Sequence, residues 1–230
     1  MSKFSSRVNQ CLGIIRGLEL FQRYNPNPDY SLLSGARGLP YPQMWVYYLN
    51  NAMYDYLMAD WSLLQFEERE PERGEPKYRY SYVQCPHQPA LSFEKYSQES
   101  KTAARQDLED EYFGHLTEEG EEREHPRLIR YDYTPAQYRA GCHPASHMHI
   151  GCDDEFRVGT RKRMAPLSFV LFVARHSYTD NWTKYFCDDE DAKIDNSQNR
   201  KKYDKFVREN LTSVAMKYFT HADEMEMHLF

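Results

Sequence analysis

The sequence predicts an α+β protein: one antiparallel sheet of about five strands flanked by helices, with helical N- and C-terminal segments. Three observations carry this. Short runs alternate apolar and polar residues between turn-forming glycines and prolines, as half-buried strands do. Near both ends, apolar residues recur three and four apart, as on one face of a helix. No repeat of about 20 to 50 residues is visible, which sets solenoids and propellers aside. A chain of 230 residues buries roughly 70% of its unfolded surface and needs no staples to hold a core. It is read as a single domain, 1–230, with a helical part at 1–58, a sheet-containing core at 59–178 and a C-terminal helical extension at 179–230.

Each element has a local reason. From Arg7 to Phe21, Val8, Cys11, Leu12, Ile15, Leu18 and Leu20 fall at helical spacing, and Pro26 and Pro28 end the pattern. Pro42 opens a second helix, with Trp45, Tyr48, Leu49, Ala52, Met53 and Tyr56 on one face. The period then changes. Trp61–Phe66 and Tyr78–Val83 read as a hairpin with a long charged tip. Ser92 to Leu116 reads as a polar helix, exposed on most of its circumference, and the acidic run after it as a solvated surface loop. Leu128–Tyr133 is the clearest strand, closed by Thr134-Pro135; Ser146–Ile150 and Phe156–Val158 are expected to pair across a turn. Pro166 starts an apolar helix over Leu167–Ala174, and Ser197–Phe219 reads as a last amphipathic helix with a basic surface.

Composition excludes several classes. No run of about 18 apolar residues appears, and the segment from Met1 has no apolar signal core, so a cytoplasmic protein without membrane contact is expected. The five cysteines are scattered, without a CxxC pair, which argues against a disulfide framework and a knuckle-type zinc site. The net charge of -6 is local: Asp107–Glu124 holds nine acids and one base, so the rest of the chain sums to +2. Near-neutrality elsewhere permits a nucleic-acid partner without supplying the basic stripe of a duplex binder. Nineteen tyrosines can stack on bases or simply fill a core.

The residues that carry chemistry cluster. Three of nine histidines lie in Cys142-His143-Pro144-Ala145-Ser146-His147-Met148-His149-Ile150-Gly151. Imidazole trades protons near neutrality and is the commonest metal ligand. On a strand, His147 and His149 share a face. Arg130 and Asp132 share a face of the preceding strand, Tyr133 lies beside them, and Arg157 on the next strand supplies another cation. An arginine fork holds phosphate while a carboxylate or imidazole manages the proton of an attacking hydroxyl, a set suited to metal-independent cleavage of RNA through its 2′-hydroxyl. The plain alternatives are an Arg130–Asp132 ion pair and structural histidines. P-loop, GxGxxG, GxSxG and HExxH templates are absent. A zinc site completed by Cys142 or Cys152 with His147 or His149 remains a further arrangement.

At these residues the sequence resembles the bacterial domain-of-unknown-function family 2290. The likeness runs through Leu128–Tyr133, His143-Pro144-Ala145-Ser146-His147, Gly151, Arg157-Val158, Pro166-Leu167 and Phe169. Trp61–Phe66 and Arg79-Tyr80-Ser81-Tyr82 resemble earlier strands of that family, and the matches extend to about Tyr178. In the family's pattern a non-histidine residue stands in the place of His149, which centres the expected site on Arg130, Asp132, His143 and His147. The family is uncharacterised, so the resemblance implies little about function. An Arg-x-Asp strand followed by a histidine-rich turn is also similar to small bacterial toxin proteins thought to be ribonucleases.

The expected function is therefore an endoribonuclease-like effector of a toxin or phage-defence system, with Arg130, Asp132, His143, His147 and His149 catalytic, Tyr133 and Arg157 binding substrate, and no metal or cofactor. The alternative is a non-catalytic nucleic-acid or protein-binding module of a larger defence complex. The expected partners are RNA or another nucleic acid, or a protein such as an antitoxin or defence-complex subunit. The basic turn of Arg200, Lys201, Lys202 and Lys205 reads as a solvated face, as a dock for acid within the same protein, or as a contact to phosphate or an acidic partner.

Overall fold

The structure, a computed structural model, describes residues 3–69, 74–89, 91–100, 102, 104–151, 156–187 and 195–226. The elements run α1 Lys3–Gly17, β1 Phe21–Tyr24, α2 Tyr41–Asn50, β2 Tyr56–Met58, β3 Leu63–Arg69, β4 Lys77–Val83, β5 His87–Gln88, α3 Phe93–Glu99, α4 Arg105–Glu118 and β6 Glu121–Glu122. They continue with β7 Leu128–Tyr133, β8 Ser146–Ile150, β9 Arg157–Gly159, β10 Lys162–Arg163, α5 Pro166–Ser177, α6 Thr179–Phe186, α7 Ser197–Asn210, β11 Thr212–Ser213 and α8 His221–Glu226.

The α+β class is as expected. The antiparallel sheet has seven strands, in the order β1-β2-β3-β4-β7-β8-β9. The two strands beyond the expected five, β1 and β2, are too short to show a clear alternation. The tip between β3 and β4, at 70–73, lies outside the described residues, as does Cys152.

Helix ends depart most from the sequence pattern, and the first two share a reason. The first helix stops at Gly17 because Glu19 takes a positive φ of 59°, and Leu20 N–H returns to the Ile15 carbonyl at 2.9 Å. The second stops at Asn50: Ala52 has φ 48°, its N–H reaches the Leu49 carbonyl, and Met53 N–H reaches the Tyr48 carbonyl. Both are Schellman-type ends with a non-glycine residue at the left-handed position. Tyr56 therefore belongs to a strand. Ser92–Leu116 is two helices, α3 and α4, and much of the acidic run is the second of these. Leu108, Tyr112 and Leu116 form a buried stripe on α4, while α3 has no buried residue. The last long helix ends at Asn210, where Leu211 turns extended and Thr212–Ser213 pairs with Arg163–Lys162.

The chain divides into two compact units. The unit formed by 22–64 and 83–127 centres on Trp45, whose indole N–H donates to the Trp61 carbonyl at 3.0 Å and whose ring lies 6.0 Å from Phe113. Its buried Glu109 is paired with Arg23 and Arg105.

The unit formed by 1–21, 65–82 and 128–230 carries the candidate site. One face of its strands presents Phe66, Tyr80, Tyr131 and Tyr133. The Tyr80 ring lies 5.5 Å from Tyr131 and 5.9 Å from Phe169 of α5, which also meets Phe66 at 6.3 Å. Helix α1 packs beside α5 through the apolar face predicted for it, with Val8, Cys11, Ile15 and Leu18 buried. Buried Glu68 closes this face, held by Arg7 and the Tyr80 hydroxyl. Because strand side chains alternate, the partners of these aromatic residues point to the opposite face.

Candidate functional site

That opposite face holds the polar cluster. Strands β7 and β8 pair with Arg130 across from His149 and Asp132 across from His147; β8 and β9 pair with His149 across from Arg157 and His147 across from Gly159. Directly opposite residues of an antiparallel pair have side chains about 5 Å apart at Cβ. The register alone therefore gathers Arg130, Asp132, His147, His149 and Arg157.

Asp132 is the hub. Its Oδ2 accepts from Arg130 Nε at 2.8 Å, and lies 3.3 Å from His149 Nε2 and 3.9 Å from His147 Nε2. Burial alone would raise its carboxyl pKa, but the hydrogen bond from His149 and the charges of Arg130 and Arg79 outweigh it and bring the value down to about 2. His147 and His149 are each only 2% exposed. Burial lowers His147 to about 4, against the opposing charge of Asp132. His147 Nδ1 lies 2.8 Å from the Pro144 carbonyl, which can only accept. Nδ1 therefore carries the proton, and the neutral ring turns the lone pair of Nε2 towards Asp132.

His143 is the outermost imidazole and is half-buried. Its ring centroid is 5.0 Å from that of His147, which is 4.8 Å from that of His149. Burial and the charge of Arg157 lower its pKa. A tight turn places it: Arg139 and His143 exchange backbone hydrogen bonds at 3.0 and 2.8 Å, with Gly141 at φ 65° between them. Glycine meets that left-handed conformation without a Cβ penalty. Buried Asp223 ties the turn down, accepting from Tyr138 Oη at 2.6 Å, Gly141 N at 3.3 Å and Thr220 N at 2.7 Å.

The structure thus brings together Arg130, Asp132, His147 and His149, with His143 one ring outward and Arg157 opposite His149. It does not bring Tyr133, whose ring lies on the other face, 5.5 Å from Tyr78 and under Arg163. Two residues escaped the sequence reading. Arg79 on β4 adds its charge to Asp132, and its signal was present: it alternates with Tyr78 and Tyr80 on a strand interior to the sheet. Asp223, about 80 residues from the turn it holds, has no local signal.

Chemically, one carboxylate lies under the positive charge of Arg130 and Arg79, and Arg157 adds its charge at His143 and His147, an arrangement that suits an anion. Asp132, His147 and His149 also offer three potential metal-ligand atoms within 4.8 Å of one another. No helix among the described residues is long and apolar enough to cross a membrane. The family described as Uncharacterized conserved protein (DUF2290) matches residues 23–229, and the chain belongs to it. No curated protein and no solved structure matches the chain.

Proposed function

We propose that this DUF2290 member is a phosphodiester-cleaving enzyme of the endoribonuclease type, working at the Arg130–Asp132–His143–His147–His149 cluster. The observation that carries the reading is the Asp132 hub. A single carboxylate holds an arginine and the imidazole of His149, the His147 imidazole lies beside it on the same strand, and a third imidazole extends outward from the turn.

In this scheme Arg130 and Arg157 hold the scissile phosphate, with Arg79 adding positive charge behind them. Neutral His143, the most accessible imidazole, takes the proton of the ribose 2′-hydroxyl. The 2′-oxygen attacks phosphorus and the bond to the 5′-oxygen breaks. A 2′,3′-cyclic phosphate and, after protonation by solvent, a 5′-hydroxyl end result. His147 and Asp132 keep His143 and the arginines in place. Service as the effector of a toxin or phage-defence system is the cellular role we attach to this activity, on the likeness of the Arg-x-Asp strand and histidine turn to toxin ribonucleases.

Cleavage of end-labelled single-stranded RNA by purified protein, lost in His143→Ala and His147→Ala variants that keep the wild-type circular dichroism spectrum, is the expected result. A second reading, a non-catalytic RNA or protein-binding module, is favoured by the 2% exposure of His147 and His149. It predicts RNA retention without cleavage, unchanged by His143→Ala.

A further inference from the structure

We propose that Asp132, His147 and His149 form a binding site for a divalent first-row transition-metal ion. The site stands on its own geometry; its use in cleaving a phosphodiester rests on the reading above.

His147 Nδ1 is committed to the Pro144 carbonyl at 2.8 Å, so the atom turned towards the cluster, Nε2, is an acceptor. It faces the Asp132 carboxylate, also an acceptor, at 3.9 Å, with His149 Nε2 at 3.3 Å from the same oxygen. No proton lies between these two acceptors, and an ion seated there would displace the proton that His149 Nε2 gives the same oxygen. All three donor atoms lie within 4.8 Å of one another. Metal bonds of about 2.0–2.2 Å place cis ligand atoms roughly 3.0–3.5 Å apart, so side-chain rotations of about an ångström close the set.

The surroundings repeat what metal sites do elsewhere. A ligating histidine donates its other ring N–H to a carbonyl or carboxylate, and a ligating carboxylate is itself hydrogen-bonded. Pro144 does the first for His147, and Arg130 does the second for Asp132 at 2.8 Å. The ligands sit on paired strands rather than loops, in a register that sets His147 opposite Asp132.

Chemistry selects the ion. Two imidazoles and one carboxylate suit Zn²⁺, Co²⁺, Fe²⁺ or Mn²⁺, whereas Mg²⁺ and Ca²⁺ want oxygen ligands throughout. Three protein ligands leave positions open. The guanidiniums of Arg130, Arg157 and Arg79 oppose a bare dication, so affinity without an anion is limited. A phosphate oxygen on the open position, held also by those arginines, completes the charge balance. The metal would then act as a Lewis acid on a non-bridging oxygen, leaving proton transfer to His143. HxH on one strand with an aspartate on its neighbour is not among the CxxC or HExxH patterns, so a search for those motifs passes over it.

The test is titration of chelator-stripped full-length protein with Co²⁺, followed by visible absorption and calorimetry, with and without inorganic phosphate. One ion per chain is expected, bound more tightly with phosphate and displaced by Zn²⁺ but not by Mg²⁺. Removing even an outer-shell partner costs about 10–100-fold in affinity, so His149→Gln and His147→Ala should each lose about 100-fold or more. Arg79→Gln, which removes an opposing charge and leaves the Arg130 bond to Asp132 in place, should tighten binding in the absence of phosphate. Exposed His221→Ala serves as the control and should not change it. No Co²⁺ binding by the folded wild-type protein overturns the proposal, as does binding that His147→Ala and His149→Gln leave intact. Metal binding at these residues by a protein that leaves RNA whole overturns the ribonuclease reading and keeps the metal site. Equal cleavage by stripped and loaded protein removes the metal from the chemistry and keeps the ribonuclease.

Discussion

Replacing Asp132 by asparagine keeps the shape of the hub and removes its charge, and the structure sets the size of the effect. The folded carboxyl sits at about 2 against an ordinary 3.8. At about 1.4 kcal/mol per unit, that depression corresponds to roughly 2.5 kcal/mol of folding stability. The sign follows from a folded pKa below the unfolded one. The contribution is complete above the unfolded value near 4 and is lost as pH falls through the folded value near 2. About half should survive at pH 3 and little at pH 2. Chelator-treated wild-type and Asp132→Asn protein should therefore differ by about 2–3 kcal/mol in urea unfolding at pH 7, with the gap halved at pH 3. Arg130→Gln should lose a similar amount, and the double variant less than the two losses combined, because the two side chains share one bond. A gap under about 0.5 kcal/mol at pH 7, or one that does not change with pH, would refute the hub.

Three further outcomes follow from the same unit. Tyr131→Phe removes a buried hydroxyl that accepts from Met164 N–H at 3.0 Å and bonds Ser146 Oγ at 2.9 Å; its unfolding free energy should fall by about 1–3 kcal/mol by denaturant titration. Phe169→Ala opens a cavity between Phe66 and Tyr80 and should cost about 3–5 kcal/mol in the same assay. Asp223→Ala unties the turn that carries His143, so amide exchange at 139–143 should quicken by more than about tenfold while β7 and β8 keep their protection.

The polar cluster was legible because strand geometry is simple. Period-two alternation in Leu128–Tyr133 and Ser146–Ile150 put Arg130 with Asp132 and His147 with His149 on common faces, and antiparallel pairing of neighbouring strands joined the two sets. The same alternation puts Tyr133, one residue from Asp132, on the other face, which its assignment to substrate binding passed over. What the sequence concealed depends on contacts distant in the chain. Asp223 reaches back to Gly141; Arg79 alternates visibly with Tyr78 and Tyr80, but the strand whose Asp132 feels its charge lies about 50 residues later. Helix ends were misread where Glu19 and Ala52 take left-handed conformations usually given to glycine. The helical spacing of Leu211, Val214 and Tyr218 continued past Asn210, but backbone pairing of Thr212–Ser213 with β10 prevailed over it.

The measurement that bears on the central claim is product analysis on one labelled RNA strand. It compares that strand with copies carrying 2′-deoxyribose, first at the preferred cleavage position and then throughout. The account predicts cleavage of the RNA to fragments ending in a 2′,3′-cyclic phosphate, protection at the single deoxy position, no cleavage of the fully deoxy strand, and loss of all products with His143→Ala. Equal cutting of the deoxy strand, or an intact RNA strand after prolonged incubation with folded protein in both metal-stripped and metal-loaded forms, would contradict it.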